Sequence, residues 1–303
     1  MNDNSLTCVT GKSIHVVVPL AAPEASNSSL GNQLFQLAFG LYLTVRFGCK
    51  VHFYIRKEKD RLSQKISTKA SQPISTLISP CEIVNSSVVR DFLLRFATHS
   101  PWLIIREDKI MTSGIPSVCF PYFQLAHGYF QNHIFVREAE SELLLRFRNA
   151  PVFQSAFAAG QDHIGVHVRC GDYMSNPINR ARYGVPNPNY YLEATRYLAE
   201  ASGSRSVVIV SDEPEIAWHV VGGPLKRLSG LSVEMSVGTL TDDFCTLAQS
   251  RAVVTSNSTF SWWAAWVAHS QRKAGVVVPD PWYLDASVGD SGFKYPGWHP
   301  MAR

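Results

Sequence analysis

Two stretches of the sequence place side chains that bind anions directly after apolar runs. In the first, "HVRCGDY", Arg169 and Asp172 follow a run typical of a buried strand. An arginine at the carboxyl end of a strand can hold a phosphate through two parallel N–H bonds. The same spacing also allows a structural ion pair between Arg169 and Asp172. Spacing alone does not separate the two interpretations.

The second stretch, "TSNSTFSWWAAW", joins a buried strand to a helix through small polar residues. Hydroxyl and amide side chains before a helix predict N-cap hydroxyls and backbone N–H groups at its positive end, a combination that favours an anion. Ser258 and Thr259 are the candidate contacts. Trp262, Trp263 and Trp266 follow inside the helix, and we expect their indoles to form its core face.

Alternating strand-like and helical segments should position both stretches. The segments "SIHVVVPL", "LGNQLFQLAFGLYLTVRFG" and "CKVHFYI" predict a strand, a helix ending at Gly48 and a parallel strand. From "HIGVHVRCGDY" to a last strand at "GVVVP" the pattern repeats. We therefore predict an α/β protein with two Rossmann-like, doubly wound domains, residues 1–155 and 156–303, facing each other across a cleft. Ligands should bind at the carboxyl ends of the strands.

Composition and motif content argue against several classes of protein. The 303 residues include 28 Lys or Arg and 24 Asp or Glu, so the formal net charge is only +4 and no basic block suits nucleic acid. No apolar run has the length of a membrane span, and the first twenty residues do not resemble a signal peptide. A soluble chain is predicted, unless an anchor has been removed, and the compartment stays open.

The sequence also lacks the motifs of several cofactor sites. It contains no dinucleotide-binding or P-loop glycine motif, no D-x-D pair and no H-E-x-x-H, so a diphosphate would have to be neutralised without a metal ion. Widely spaced cysteines favour buried free thiols over disulfides or zinc ligands. The cysteines are Cys8, Cys49, Cys81, Cys119, Cys170 and Cys245. Sequons at Asn27, Asn85 and Asn257 could carry glycans in a secretory lumen, but three are close to the number expected by chance, and Asn257 belongs to the polar run assigned to the anion site.

Five stretches together resemble, in order and spacing, the motifs of the α-1,2-fucosyltransferase family, glycosyltransferase family 11. They are "LGNQLFQLA", "GYFQNHIF", "HVRCGDY", "PNYY" and "SNSTFSWWAAW". The resemblance implies a GT-B pair of domains, with the acceptor side in the first and the donor site in the second. It further implies GDP-L-fucose as donor, inverting transfer to a sugar hydroxyl, often the 2-hydroxyl of galactose, and no cofactor or obligatory metal.

The same resemblance assigns catalytic roles. Arg169 matches the first arginine of the family's H-x-R-R-x-D motif and is expected to stabilise the leaving diphosphate. Asp172, or the acidic turn of Asp212 and Glu213, could accept the proton of the acceptor, although a dissociative route needs no side-chain base. Cys170 stands where many members carry a second arginine. The alternatives are weaker donor binding, another nucleotide sugar, compensation by another basic residue, or an inactive glycan-binding relative.

Six further residues match positions that bind substrates in the family. They are His167, Asp243, Ser258, Thr259, Asn32 and Gln33. The first two are assigned to the nucleotide pocket and the guanine edge, the next two to the phosphate loop, and the last two, in the first domain, to fucose or the acceptor. The expected partners are GDP-fucose and a galactose-containing glycan, with the oligomeric state open.

Overall fold

Two units, residues 1–147 and 148–303, make up the chain. The computed structural model describes residues 15–20, 30–54, 72–83, 104–113, 123–228 and 230–303. The boundary expected at 155/156 falls within a 3-10 helix, Pro151–Phe157, near the start of the second unit. Each unit contains a parallel sheet with helices between its strands, so the predicted α/β fold class is confirmed.

The described residues of the first unit form a four-stranded parallel sheet in the order β2-β1-β4-β3. Its strands are β1 His15–Pro19, β2 Lys50–Tyr54, β3 Ile104–Arg106 and β4 Phe123–His127. Its helices are α1 Leu30–Phe47, α2 Gln72–Ser75, α3 Glu107–Ser113, α4 His133–Glu138 and α5 Glu140–Asn149, with a 3-10 turn at Pro80–Glu82.

The predicted β1-α1-β2 unit is confirmed. The two strands pair in parallel, and α1 stops before Gly48, whose φ of +66° is accessible because glycine has no Cβ. The strands β3 and β4 were not predicted, because they are short and no regular apolar alternation marks them.

The second unit has a six-stranded parallel sheet in the order β10-β9-β8-β5-β6-β7. Its strands are β5 Gln161–Val168, β6 Ser206–Ser211, β7 Ser232–Met235, β8 Ser250–Val254, β9 Gly275–Asp280 and β10 His299–Ala302. The expectation that "GVVVP" is the last strand is wrong, since β10 adds to the edge beyond it. Strand β10 contains a proline and is largely exposed, so it gives no apolar signal.

The helices of this unit follow its strands. They are α6 Gly171–Ser175, α7 Pro177–Arg182, α8 Pro188–Ser202, α9 Pro214–Ala217, a π turn Trp218–Gly222, α10 Gly223–Lys226, α11 Leu240–Gln249 and α12 Thr259–Arg272, with a 3-10 turn at Ser291–Phe293. Trp262, Trp263 and Trp266 of α12 have no exposed surface, which confirms their prediction as core. The indole N–H of Trp262 donates to the carbonyl of Phe293 at 2.9 Å.

Several other expectations concern cysteines, sequons and membrane spans. Cys49, Cys170 and Cys245 are buried free thiols as predicted, whereas Cys81 is a free thiol at the surface. The expectations for Cys8, Cys119, Asn27 and Asn85 lie outside the described residues. Within the described ranges, no helix combines the length and apolar character needed to cross a bilayer.

Candidate active site at the carboxyl edge of the second sheet

The chain changes direction across the second sheet between β5 and β8. From β5 it proceeds through β6 to β7 on one side, and then returns to build β8, β9 and β10 on the other. Open α/β sheets bind ligands outside the carboxyl ends of their strands at such a switch point. The chain continues after β5 with "RCGDY", which runs into α6, and after β8 with "TSNST", which runs into α12. This edge therefore brings together most of the predicted site residues.

His167 lies near the end of β5 and bonds across the switch point to the loop after β8. Its Nδ1 is 2.8 Å from the hydroxyl oxygen of Ser256, and both side chains are buried. The ring also packs near Phe260, with 5.4 Å between ring centroids. Burial, with the charge of Arg169 as a smaller cause, lowers the pKa of His167 to about 3. The imidazole is therefore neutral at physiological pH and joins the two central strands.

This buried neutral imidazole predicts a particular pH dependence of stability. In the unfolded chain the histidine takes up a proton near pH 6.5, whereas in the folded chain it resists protonation until its pKa of about 3. Stability should therefore fall as the pH drops below 6.5, by about 2 kcal/mol from this group between pH 7.5 and pH 5. His167→Asn keeps a polar atom near the position of Nδ1. Its free energy of unfolding should therefore fall by about 2 kcal/mol less than that of the wild type between pH 7.5 and pH 5.

Urea denaturation of the wild type and His167→Asn at the two pH values measures this difference. For each protein, the free energy of unfolding at pH 5 is subtracted from that at pH 7.5, and the two differences are compared. This comparison removes the pH-independent cost of the smaller side chain. It also removes the contribution of His163, whose pKa burial lowers as well. Equal losses in both proteins would show that His167 is protonated in the folded state.

Arg169 directly follows β5 and is held by a carboxylate from the next strand. Its Nη1 lies 3.0 Å from Oδ2 of Asp212, which follows β6. The other carboxylate oxygen, Oδ1, accepts the backbone N–H of Cys170 at 2.9 Å. Asp212 thus orients both the guanidinium and the turn that carries it. The sequence had offered Asp172 as the structural partner, and the ion pair with Asp212 adds a partner that local spacing did not reveal.

Gly171 provides the space for this ion pair. A Cβ at Gly171 would lie 2.4 Å from Oδ2 of Asp212, closer than two such atoms can approach. Gly171→Ala should therefore displace the carboxylate from Arg169 and lower any activity that depends on Arg169 by about tenfold, since misplaced catalytic groups are costly. The loss of stability should stay near about 1 kcal/mol, because only one side chain must shift.

Turnover and the midpoint of thermal unfolding, measured for Gly171→Ala and Gly223→Ala, separate the two effects. Gly223 is also helical and its Cβ would meet a nearest atom at 3.4 Å, so this control should behave as wild type. Full activity in Gly171→Ala would mean that the orientation imposed by Asp212 is dispensable.

A pair of stacked tyrosines lies beside Arg169. Its guanidinium carbon is 5.6 Å from the ring centroid of Tyr173. Tyr173 stacks on Tyr183 with 4.8 Å between centroids and 8° between ring planes. The hydroxyl of Tyr173 donates to the carbonyl of Asn257 at 3.4 Å. The loops after β5 and β8 are thus joined on a second side of the site.

The loop after β8 is buried and is held by hydrogen bonds to other segments of the second unit. Asn257 is 1% exposed, and its Nδ2 donates to the carbonyls of Tyr183, Gly184 and Trp282 at 2.8, 3.0 and 3.4 Å. A side chain enclosed in this way cannot accept a glycan in the folded protein. The sequon at Asn257 is therefore a structural element.

Ser258 and Thr259 mark the start of α12. Ser258 is the N-cap residue, but its side chain makes no capping hydrogen bond, so the predicted hydroxyl cap is wrong at this position. Instead, its backbone carbonyl accepts the N–H of Trp262 and the hydroxyl of Ser261. Ser258 is 8% exposed, and Thr259 is partly exposed. Their assignment to phosphate stays a prediction.

The acidic candidates Asp243 and Asp172 lie on helices that border this edge. Asp243, in the first turn of α11, accepts the hydroxyl of Ser236 at 2.6 Å. Burial raises the pKa of Asp243, with the bond from Ser236 opposing the shift. Asp172 is the second residue of α6, and its side chain lies outside the described part of the chain. Its assignment as a base therefore stays a prediction.

Cys170 is packed into the core and does not face the site as a reactive group. It is 3% exposed, and burial together with the charges of Asp212 and Glu213 raises the pKa of its thiol to about 11. A neutral, buried thiol neither carries charge nor acts as a nucleophile at physiological pH. The position of the family's second arginine thus contributes no positive charge in this chain.

Asn32 and Gln33 begin helix α1 of the first unit, where the loop after β4 approaches them. Oδ1 of Asn32 accepts the amide of Gln131 at 2.9 Å. Glu107 holds this loop by accepting the backbone N–H groups of Tyr129 and Gln131. Gln33 is 2% exposed, and its Oε1 has no hydrogen-bond partner, which leaves an acceptor for a donor group. Their roles toward fucose or the acceptor stay predictions.

Residues 25–300 match the family model described as glycosyl transferase family 11. The chain belongs to glycosyl transferase family 11. This match spans nearly all of the second unit and much of the first, and it confirms the resemblance seen in the five sequence motifs. Two of the five motifs, "HVRCGDY" and "SNSTFSWWAAW", contain the residues described above at the switch point of the second sheet.

Two relatives from Escherichia coli match part of this family 11 chain. The O-antigen biosynthesis glycosyltransferase WbnK is 24% identical over 146 residues, covering 48% of this chain and 47% of WbnK. An alpha-1,2-colitosyltransferase is 27% identical over 120 residues, covering 40% of this chain and 41% of that protein. The chain therefore matches less than half the length of each relative.

Two solved structures match this chain at low identity and low TM-score. POFUT1 in complex with GDP is 12% identical with a TM-score of 0.45, covering 88% of this chain and 98% of that one. The heptosyltransferase WaaC of E. coli with ADP is 11% identical with a TM-score of 0.43, covering 95% of this chain and 93% of that one.

Sequence patterns missed the contacts that come from distant parts of the chain. Ser256 was noted only as part of a polar run, although its bond to His167 joins β5 to the loop after β8. Asp212 was considered as a base, whereas its two oxygens are committed to Arg169 and Cys170. The sequence did indicate that both residues come shortly after strands of one parallel sheet, and this places them at the same edge.

Proposed function

We propose that this family 11 protein transfers L-fucose from GDP-L-fucose to a glycan hydroxyl with inversion. The proposed acceptor position is the 2-hydroxyl of a galactose, which gives an α-1,2 linkage. The observation that carries the proposal is Arg169, oriented by Asp212 at the switch point of the sheet where open α/β folds bind nucleotides. Family membership supports the reaction class.

In the proposed reaction, the acceptor oxygen attacks the anomeric carbon while the bond to the diphosphate breaks. The bonding electron pair leaves with GDP, so negative charge grows on the departing oxygen. A guanidinium fixed beside that oxygen stabilises the transition state more than the ground state, which is the condition for raising kcat. Arg169 fills this role. No cofactor or divalent metal is required in this proposal.

The proton of the acceptor hydroxyl must also be transferred. Asp212 is poorly suited to take it, because both of its oxygens already bind Arg169 and the amide of Cys170. Asp172 and Glu213 are the proposed side-chain bases, and an oxygen of the leaving diphosphate is the alternative. Asp172→Asn and Glu213→Gln separate these routes, since a base-free route predicts near wild-type turnover in both.

A second donor is supported by one of the relatives. One relative is named for the transfer of colitose instead of fucose, the alpha-1,2-colitosyltransferase, and it is 27% identical over the 120 matched residues. Transfer of colitose from GDP-colitose is therefore the second candidate function. It would use the same diphosphate contacts with a different sugar pocket.

The test is GDP release from the purified chain supplied with GDP-fucose or GDP-colitose, a panel of β-galactosides, and EDTA. Acceptor-dependent release with GDP-fucose, and a product whose NMR spectrum shows an α-1,2 linkage, is the expected result. Preference for GDP-colitose would replace the donor, and loss of activity in EDTA would refute metal independence. Glycan binding without GDP release from either donor would favour an inactive relative.

A further inference from the structure

Arg303 places a second guanidinium at the carboxyl edge of the second sheet. It follows β10, whose Ala302 is paired in parallel with Asp280 at the end of β9. Its Nη2 donates to the carbonyl of Tyr183 at 2.7 Å. That carbonyl also accepts Nδ2 of Asn257 at 2.8 Å. Arg303 is thus joined to the loop after β8 and to the tyrosine stack beside Arg169.

Arg303 differs from Arg169 in having no side-chain carboxylate as a partner within the described part of the chain. Among the described residues no carboxylate forms an ion pair with Arg303, and its buried Nε and Nη1 have no hydrogen-bond partner. Its ionisable neighbours are the hydroxyls of Tyr173, Tyr190 and Tyr191. Burial lowers the pKa of Arg303, yet an arginine stays protonated at neutral pH. A partly buried, unpaired cation is costly and typical of a site that receives an anion.

The other charged residues that directly follow β5 and β6 are one arginine, Arg169, and the acidic residues Asp172, Asp212 and Glu213, so they supply no net positive charge. Asp212 neutralises Arg169 at 3.0 Å. His167 is neutral and Cys170 carries no charge. Arg182 packs over the outer ring of Tyr183 at 5.6 Å, but it is exposed to solvent and therefore screened. Arg303 is a partly buried positive charge whose Nε and Nη1 have no partner among the described residues, so it can receive a diphosphate.

We propose that Arg303 supplies a second guanidinium whose positive charge favours the donor diphosphate at this edge, and so compensates for the arginine that Cys170 replaces. The inference rests on the proposed function for the identity of the nucleotide. Arg303 acts through its field and through its hold on Tyr183, whose ring stacks on the Tyr173 ring beside Arg169. It is a positioning residue, whereas Arg169 is the residue proposed to contact the leaving group.

Affinities for GDP, GMP and inorganic pyrophosphate, measured by titration calorimetry, test this role in four proteins. These are the wild type, Arg303→Gln, Arg303→Lys and Arg251→Gln. Arg251 is the matched control, because it lies at the amino end of β8, pairs with Asp162 at 3.5 Å and also removes one positive charge. Far-UV circular dichroism and thermal unfolding check that each variant is folded.

Arg303→Gln should weaken GDP binding by about tenfold, and it should weaken GMP binding less because GMP carries less charge. The salt dependence of GDP affinity should also become shallower. Arg303→Lys should retain most of the affinity because it keeps the charge, and Arg251→Gln should match the wild type. A structural role alone would affect the glutamine and lysine variants alike and leave the salt dependence unchanged.

Three other results would refute either the role of Arg303, the proposed nucleotide or both. Wild-type affinity in Arg303→Gln would overturn the role of Arg303 and leave the proposed function standing. Binding of pyrophosphate but not GDP by the wild type would refute the proposed nucleotide, while the Arg303 comparison would proceed with pyrophosphate. Absence of binding to both would refute the anion site and the proposed function together.

Discussion

Replacing Arg169 with alanine is expected to lower kcat for sugar transfer by about 10²–10³-fold, the usual cost of losing a donor to developing negative charge. The guanidinium is held by Asp212 at 3.0 Å and lies 5.6 Å from the ring of Tyr173, so it is fixed before substrate arrives. Because its proposed contact strengthens as the diphosphate leaves, kcat should fall more than substrate affinity.

Steady-state rates for Arg169→Ala, Arg169→Lys and the control Arg251→Gln provide the measurement. Lysine keeps the charge but loses the two-pronged guanidinium, so its rate should lie between those of alanine and wild type. Arg251→Gln should remain fully active, since its partner Asp162 lies at the opposite edge of the sheet. Near wild-type transfer by Arg169→Ala would mean that Arg169 does not stabilise the leaving group.

Sequence periodicity predicted the elements that carry the site because parallel strands and their helices have strong apolar patterns. The run before Arg169 is buried throughout its second half, and α12 buries its tryptophans. A parallel sheet then places the ends of β5, β6 and β8 at one edge without further information. Thus the location of Arg169 and His167 could be predicted from local patterns alone.

The partners of these residues could not be predicted in the same way. Asp172, three positions from Arg169, was the partner that spacing offered, and its side chain lies outside the described part of the chain. Asp212, which follows the next strand β6, forms an ion pair with Arg169 that spacing did not reveal. Which acidic residue reaches an arginine depends on strand order and register, and neither is encoded in local spacing. Arg303 follows a four-residue strand with little apolar character, so no pattern pointed to it.

Asn257 shows how a local motif can be misinterpreted when burial is unknown. Its sequon suggested a glycan acceptor in one compartment, and the surrounding hydroxyls suggested a ligand loop. In the structure its amide joins the loop after β8 to two other segments, through the carbonyls of Tyr183 and Gly184 in one and of Trp282 in the other. The sequence could not reveal this because all three partners are backbone carbonyls, which any residue type can supply.

Asn257→Asp is therefore expected to destabilise the protein by about 3–5 kcal/mol at pH 7, although it changes a single NH₂ group to oxygen. Nδ2 donates to three carbonyl oxygens at 2.8, 3.0 and 3.4 Å, and a carboxylate oxygen there would face them with no hydrogen to donate. The cost combines the lost bonds with a buried, unpaired negative charge.

The pH dependence separates this cause from a general loss of packing. A carboxyl group in this position is more easily protonated in the folded state than in the unfolded one. Its pKa is therefore raised, and the deficit relative to wild type should shrink as the pH falls from 7 to 5. Urea denaturation at the two pH values gives both free energies of unfolding.

Asn187→Asp is the matched control, because there the asparagine oxygen accepts the N–H of Tyr190 at the exposed start of α8. Aspartate keeps that acceptor, so this variant should stay within about 0.5 kcal/mol of wild type. The same chemical change should thus destabilise the protein where the asparagine side chain donates hydrogen bonds and have little effect where it accepts one. If both variants were equally stable at pH 7, the Asn257 amide would not hold the loop after β8, and the position of Tyr183, which stacks on the Tyr173 ring beside Arg169, would need another cause.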